Sequence, residues 1–127
     1  MPYTHKQNFS ITSTSGVTSL SGSDSETGNT ELTFDVNLAA STTNQLQAMT
    51  FTYASLQSVV LLATQNCTIK TNSTGSPPTT INLIAGIPFV WNVSSGYFAN
   101  PFSAANVTAF YLSCTAACRL QARILTS

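Results

Sequence analysis

Charge is what this chain has least of. Only 6% of its 127 residues are charged, four Lys or Arg against four Asp or Glu, so the net charge is zero. A typical soluble domain carries about a quarter. The basic clustering that phosphate binding needs is missing, because Lys6, Lys70, Arg119 and Arg123 are scattered. The expectation is therefore no nucleic-acid partner. No apolar run reaches the length of a membrane span. The opening MPYTHKQNFS has no charged segment followed by an apolar one, so the expectations are no secretory signal, no membrane partner and synthesis in the cytoplasm.

Chemistry-bearing residues are also few. The one histidine, His5, falls in a polar, mobile-looking lead-in, whereas a triad needs a base held by a third group. The acids all lie between Asp24 and Asp35, which leaves a carboxylate pair nowhere else to come from. Ser23 to Glu31 reads as a loop of alternating oxygen ligands around Gly28. It could hold Ca²⁺ but lacks the twelve-residue pattern, and the plainer reading is a solvated polar loop. Cys67, Cys114 and Cys118 make an odd count with no nearby histidine and no C-x-x-C pair, a poor zinc set. Cys114 and Cys118 flank a three-residue turn. They could meet across a hairpin, but two small buried thiols are the expected state in a reducing compartment. Five Asn-x-Ser/Thr sequons, starting at Asn8, Asn66, Asn72, Asn92 and Asn106, read as by-products of abundant Asn, Ser and Thr. The expectations are no catalytic residue, no metal and no cofactor.

What is present is β patterning. Hydrophobic residues make up 43% of the chain, enough for one sandwich core. Leu56 to Asn72 contains the longest near-continuous apolar run, Val59-Val60-Leu61-Leu62-Ala63. It reads as a fully buried strand, with Cys67 to Thr71 as its hairpin partner across Thr64-Gln65-Asn66. Glu31 to Ala40 alternates with Leu32, Phe34, Val36 and Leu38 on one face. Gln45 to Ala54, Thr80 to Ala85, Phe89 to Trp91, Ala104 to Ser113 and Arg119 to Leu125 read as further strands. About eight strands at spacings of roughly ten residues predict an all-β fold, an antiparallel β-sandwich of jelly-roll type. Val60, Leu62, Ile69, Leu83, Trp91, Val107 and Ile124 are the expected core, with Phe102 helping Trp91 to plug one end.

Residues 1–30 read as an N-terminal arm or loop region, in which Gln7 to Thr14 alternates through Phe9 and Ile11 as a first strand or an arm, and 31–127 as the sandwich domain. Thr12 to Thr30 is rich in Ser, Thr and Gly, with too few apolar residues to fold on itself. Phe9, Ile11, Val17 and Leu20 nonetheless recur there. Such a segment gains most along a neighbouring subunit, so these four are candidate contacts. Tyr97 and Phe98, in the loop after Trp91, are two more. A neutral surface is poorly protected against association and makes most sense against a partner.

From Ser58 onward, a little over half the chain, the order is an apolar strand, then Ile69-Lys70-Thr71-Asn72-Ser73, then Ile81-Asn82-Leu83-Ile84-Ala85-Gly86-Ile87-Pro88-Phe89-Val90-Trp91. Asn100-Pro101-Phe102, Asn106 to Tyr111 and a closing strand ending Arg123-Ile124-Leu125 follow. This pattern resembles small structural proteins encoded beside the major capsid gene of tailed phages. The resemblance implies a non-enzymatic capsid cement or decoration protein on the virion surface, bound as a homotrimer to the major capsid protein over gaps between capsomers. The first thirty residues fall outside the pattern. A carbohydrate- or receptor-binding module of a tail fibre or baseplate is the alternative, with the aromatics from Trp91 to Phe102 as its platform.

Overall fold

The structure is a computed structural model that describes residues 2–12, 14, 20–95 and 97–127. Val17 lies outside the described residues. The described residues are all β apart from one 3-10 turn, with ten strands in three antiparallel sheets. In chain order the strands are β1 (Tyr3–Ile11), β2 (Leu20–Gly28), β3 (Thr30–Leu38), β4 (Thr42–Gln47), β5 (Leu56–Ala63), β6 (Cys67–Thr71), β7 (Thr80–Leu83), β8 (Phe89–Asn92), β9 (Phe110–Cys114) and β10 (Cys118–Thr126). Strands β3-β10-β5-β8 form one sheet of a sandwich and β4-β9-β6-β7 the other, while β1 and β2 pair only with each other. Consecutive sandwich strands cross between the sheets at every step except β6–β7. That is the jelly-roll arrangement of two interlocked Greek keys.

Alternation builds the core. On β10, Cys118, Leu120, Ala122 and Ile124 point inward, facing Ile69 of β6 and Phe110 and Leu112 of β9, all buried. The side-chain period of two puts every second residue of a strand on one face. One end is closed by phenylalanines. Phe102 packs edge-on to Phe51 at 5.3 Å and stacks on Phe110 at 6.0 Å. Trp91, Phe102, Ile69, Leu83, Val107 and Ile124 are buried as the sequence predicts.

The reading of the apolar run needs correction. β5 is not buried on both faces: Val59, Leu61 and Ala63 fill the core, Val60 is half-buried, and Leu62 is exposed at 37%. A continuous apolar run conceals which alternate set faces inward, and the actual phase is one residue from the expected one. Nor is β5–β6 a hairpin. Thr64 to Asn66 carries the chain from one sheet to the other, and β5 pairs with β10 and β8 while β6 pairs with β7 and β9.

Two other expected strands are shorter than predicted. Gln45 to Ala54 ends its ladder at Gln47; Met49 and Phe51 are buried beyond it, and Tyr53–Ser55 is a single 3-10 turn. Ala104 to Ser113 joins its sheet only from Phe110, with Val107 making an isolated bridge to Phe51. Asn72 explains the latter delay. It takes a left-handed backbone (φ 65°) and its side chain bonds Asn106 O at 2.8 Å and Thr108 N at 2.7 Å, holding that segment in place by side-chain contacts.

The outer face of the first sheet carries two cross-strand ion pairs, Arg119–Asp35 at 2.6 Å and Arg123–Glu31 at 2.9 Å. The Arg119 guanidinium donates two bonds to Asp35, holding its carboxyl below the ordinary range. A depressed carboxylate adds stability above its unfolded pKa and loses it as pH falls through the folded one.

Two predictions test these assignments. Leu61→Ala should destabilise by about 2–5 kcal/mol as a core truncation. Leu62→Ala should stay within about 1 kcal/mol, and equal losses in chemical denaturation would contradict the phase of β5. In an NMR titration, Arg119→Ala should raise the Asp35 pKa toward its ordinary value; no movement would show that the ion pair does not form in solution.

Candidate functional site

The first thirty residues differ most from expectation. Tyr3–Ile11 and Leu20–Gly28 are strands in full antiparallel register, from Tyr3 opposite Gly28 to Ile11 opposite Leu20. The loop reading of Thr12 to Thr30 is therefore overturned for Leu20–Gly28, and the lead-in reading for Tyr3–Lys6. Backbone ladders form without apolar side chains, and the pair is completed by docking on the sandwich rather than by a core of its own.

Directly opposed residues of an antiparallel pair share a face. His5, Gln7, Phe9 and Ile11 thus lie on one side with Glu26, Asp24, Gly22 and Leu20. The near half of this face sits on the outer side of the first sheet. His5 Nδ1 is 3.1 Å from Ser58 Oγ, Gln7 Nε2 donates to the same oxygen at 3.3 Å, and Asn92 Nδ2 donates to Gln7 Oε1 at 3.1 Å. Ser94 N–H donates to Glu26 Oε1 at 3.1 Å, and Asn29 N–H to Thr126 O at 2.9 Å. Gly28 packs so tightly against Thr126 O that a Cβ there would collide with it.

His5 is therefore half-buried in a strand and not part of a mobile terminus. It stands between Ser58 and Glu31, with Nε2 3.8 Å from Glu31 Oε1 and enclosed without a hydrogen-bond partner. Serine, histidine and carboxylate are the components of a nucleophilic triad. Ser58, however, is fully buried and its oxygen is shared between His5 and Gln7, so no substrate carbonyl can reach it. The cluster fastens the hairpin to the sheet.

The acidic segment likewise serves local bonds. Ser23 to Gly28 is strand, not loop; Asp24 Oδ1 accepts from Ser25 N–H and Glu26 from Ser94. Among the described residues no group of three or more His, Cys, Asp or Glu is placed to hold a metal. No helix there is long and apolar enough to cross a membrane. Cys114 and Cys118 are unbonded and buried, as is Cys67.

The far half of the hairpin is different. Phe9, Ile11 and Leu20 are 51%, 65% and 70% exposed, and Tyr97 and Phe98 are 87% and 77% exposed. Phe9, Tyr97 and Phe98 meet in a groove of about 510 Å³ whose floor is Val90, Trp91 and Asn92 of β8. Trp91 Nε1–H donates to Phe98 O at 3.1 Å, and Asn92 Oδ1 accepts from Ser95 N–H at 2.8 Å, which orders this loop. A second apolar cleft of about 370 Å³ lies beyond Phe98, lined by Phe89, Ala99 and Pro101. Both follow β8, an edge strand of its sheet.

The structure thus brings Phe9, Tyr97 and Phe98 together and leaves Ile11 and Leu20 opposite one another further along the hairpin face. The sequence reading missed Val90, half-exposed between these aromatics, and the anchors Gln7, Glu26, Ser58 and Asn92. Their only signal was polar type, shared with most of the chain. No family model, curated protein or solved structure matches the chain.

Gly28→Ala should force the hairpin off the sheet at a cost of about 1–3 kcal/mol, as overpacking does. Hydrogen exchange of Tyr3 to Gln7 should rise while that of β9 and β10 does not; unchanged exchange at β1 would contradict the docked hairpin.

Proposed function

We propose that this protein is a non-enzymatic structural component of a virion, a cement or decoration protein that binds the major capsid protein of a tailed-phage head. The observation that carries the reading is the exposed apolar surface shared by the hairpin (Phe9, Ile11, Leu20) and the neighbouring loop (Tyr97, Phe98). It lies beside the open edge of β8. Exposed apolar groups that adjoin one another mark interaction sites, although Leu46, Ile84 and Ile87 are exposed elsewhere. An open edge strand offers backbone hydrogen bonds to a partner. The neutral composition and the resemblance from Ser58 onward support the same partner. A homotrimer seated on the shell is part of this reading and rests on the resemblance.

A second reading, a carbohydrate-binding module of a tail fibre or baseplate, is favoured by one feature. Tyr97 and Phe98 flank a groove that also presents Ser23, Asp24 and Ser94, the mix of stacking and polar groups that sugars use.

The hairpin covers part of the sandwich, so deleting it would expose buried polar groups; point changes are the cleaner test. The intact protein should pellet saturably with expanded phage heads. Phe9→Ser with Leu20→Ser should keep the melting temperature yet weaken pelleting at least about tenfold, since interface anchors are worth upwards of about 1 kcal/mol each. Undiminished pelleting by the double variant, or none by the intact protein, would defeat the cement reading. Glycan binding abolished by Tyr97→Ala would establish the second.

A further inference from the structure

Three thiols reach the core from three strands. Cys67 on β6, Cys114 on β9 and Cys118 on β10 are 3%, 8% and 3% exposed, and none is disulfide-bonded. Cys67 and Cys114 are direct cross-strand partners in the middle of the second sheet. The ladder decides what kind of pair they are. Asn72 N–H donates to Ala109 O at 2.9 Å, and these residues continue the register that sets Cys67 opposite Cys114. Hydrogen-bonded and non-hydrogen-bonded pairs alternate, so five steps back Cys67–Cys114 is a non-hydrogen-bonded pair. The other side of β6 agrees. Thr71 N–H donates to Thr79 O at 3.0 Å, which turns the backbone groups of Thr71, Ile69 and Cys67 toward β7 and away from β9. Non-hydrogen-bonded partners are the closer kind, with Cα atoms about 4.5 Å apart, within the roughly 4.4–6.8 Å that a disulfide spans. Both side chains face the core, so both sulfurs lie on the same side of the sheet.

We propose that Cys67 and Cys114 are a latent disulfide, closed by a hydroperoxide, that ties the two central strands of the sheet β4-β9-β6-β7. The sulfur of Cys114, the more exposed residue of the two, attacks the peroxide oxygen as thiolate; the O–O bond breaks, an alcohol or water leaves, and Cys114 becomes a sulfenic acid. The Cys67 sulfur then attacks the Cys114 sulfur. The S–S bond forms as S–O breaks, and the departing hydroxide takes the Cys67 proton as water. In sum, two thiols and one hydroperoxide give one disulfide, one alcohol and one water. The Cys114 thiol rests on Ala39 O at 3.4 Å and the Cys118 thiol on Gln65 O at 3.5 Å, so Cys114 has only to turn from a carbonyl. Burial, with Cys118 and Cys114 alongside, pushes the Cys67 thiol up to about 12. The second step, attack of Cys67 on the Cys114 sulfenic acid, is accordingly slow at neutral pH and faster in mild alkali, because the thiolate is the better nucleophile. The inference goes beyond the capsid reading and does not depend on it.

The test treats the folded protein with hydrogen peroxide at mildly alkaline pH, alkylates remaining thiols with iodoacetamide in denaturant, and maps the peptides by mass spectrometry. The wild type should lose two hydrogen atoms, keep one alkylatable thiol at Cys118, and yield a peptide joining Cys67 to Cys114 that dithiothreitol separates. Cys118→Ser should close the same bond and keep no free thiol; Cys118→Ala, smaller and apolar, gives the same readout where serine is not tolerated in the core. The oxidised protein should melt higher than the reduced one. A linked peptide containing Cys118, three alkylatable thiols after oxidation, sulfinic acid at Cys114 in place of a bond, or a lower melting temperature would each overturn the proposal.

Discussion

The sheet β3-β10-β5-β8 is covered by the second sheet on one face and, over part of the other, by the β1–β2 hairpin, and everything outside the core follows from how that outer face is covered. Leu125 lies on that outer face yet is fully buried, because β2 ends against it at Gly28. Ser58 and Asn92 are buried on the same side. Buried hydroxyl and amide groups left unpaired cost about 1–3 kcal/mol each, so the cover must supply hydrogen bonds as well as area. Gln7 meets both residues and His5 meets Ser58. A slip of one residue in β1 would replace them with Lys6 and Asn8 and turn His5 and Gln7 to solvent. Polar matching, rather than apolar packing, therefore fixes the register of the hairpin on the sheet.

The same alternation has a second consequence. The face that carries His5 and Gln7 over the sheet carries Phe9 and Ile11 beyond it. Polar residues occupy the docked positions and apolar residues the free ones, the reverse of what stability of an isolated chain would select. Nothing in the fold requires Phe9, Ile11 or Leu20 at those places. Neighbouring Tyr97 and Phe98 are in the same situation, since the loop is held through the Phe98 carbonyl and the Trp91 indole rather than through their rings.

The all-β sandwich was legible because β3, β6 and β10 alternate cleanly and turn residues separate the strands. Trp91, Phe102 and Ile69 were legible as core by size and position. The phase of β5 was not, because five consecutive apolar residues fit either face. Of the hairpin, only the alternation of Phe9 and Ile11 on β1 was legible; its pairing with β2 was not, for a related reason. Its strands are dominated by Ser, Thr, Asn and Gly, and their cohesion comes from backbone pairing and from partners such as Ser58 and Asn92 that are distant in sequence. Of the candidate contact residues, Phe9, Tyr97 and Phe98 could be named from their type in polar surroundings, but their convergence needed the topology that sets β8 beside the hairpin.

A jelly roll hosts shell proteins and sugar-binding proteins alike, so the architecture does not choose between the two readings. The distribution of charge bears on the choice. Both arginines are paired to acids, Glu26 is bound by a backbone amide, and Lys70 donates to Thr74 O. With so few charges and a net charge of zero, little field is left to steer a partner from a distance, and unsteered association is slow, about 10⁵–10⁶ M⁻¹s⁻¹. A surface of this kind gains affinity through slow release, by shape and apolar contact. That suits a partner that stays bound. The spread of the apolar residues over two elements, the hairpin and the loop after β8, also exceeds what a single sugar ring would cover. Both features weigh toward an extended protein surface rather than a single sugar.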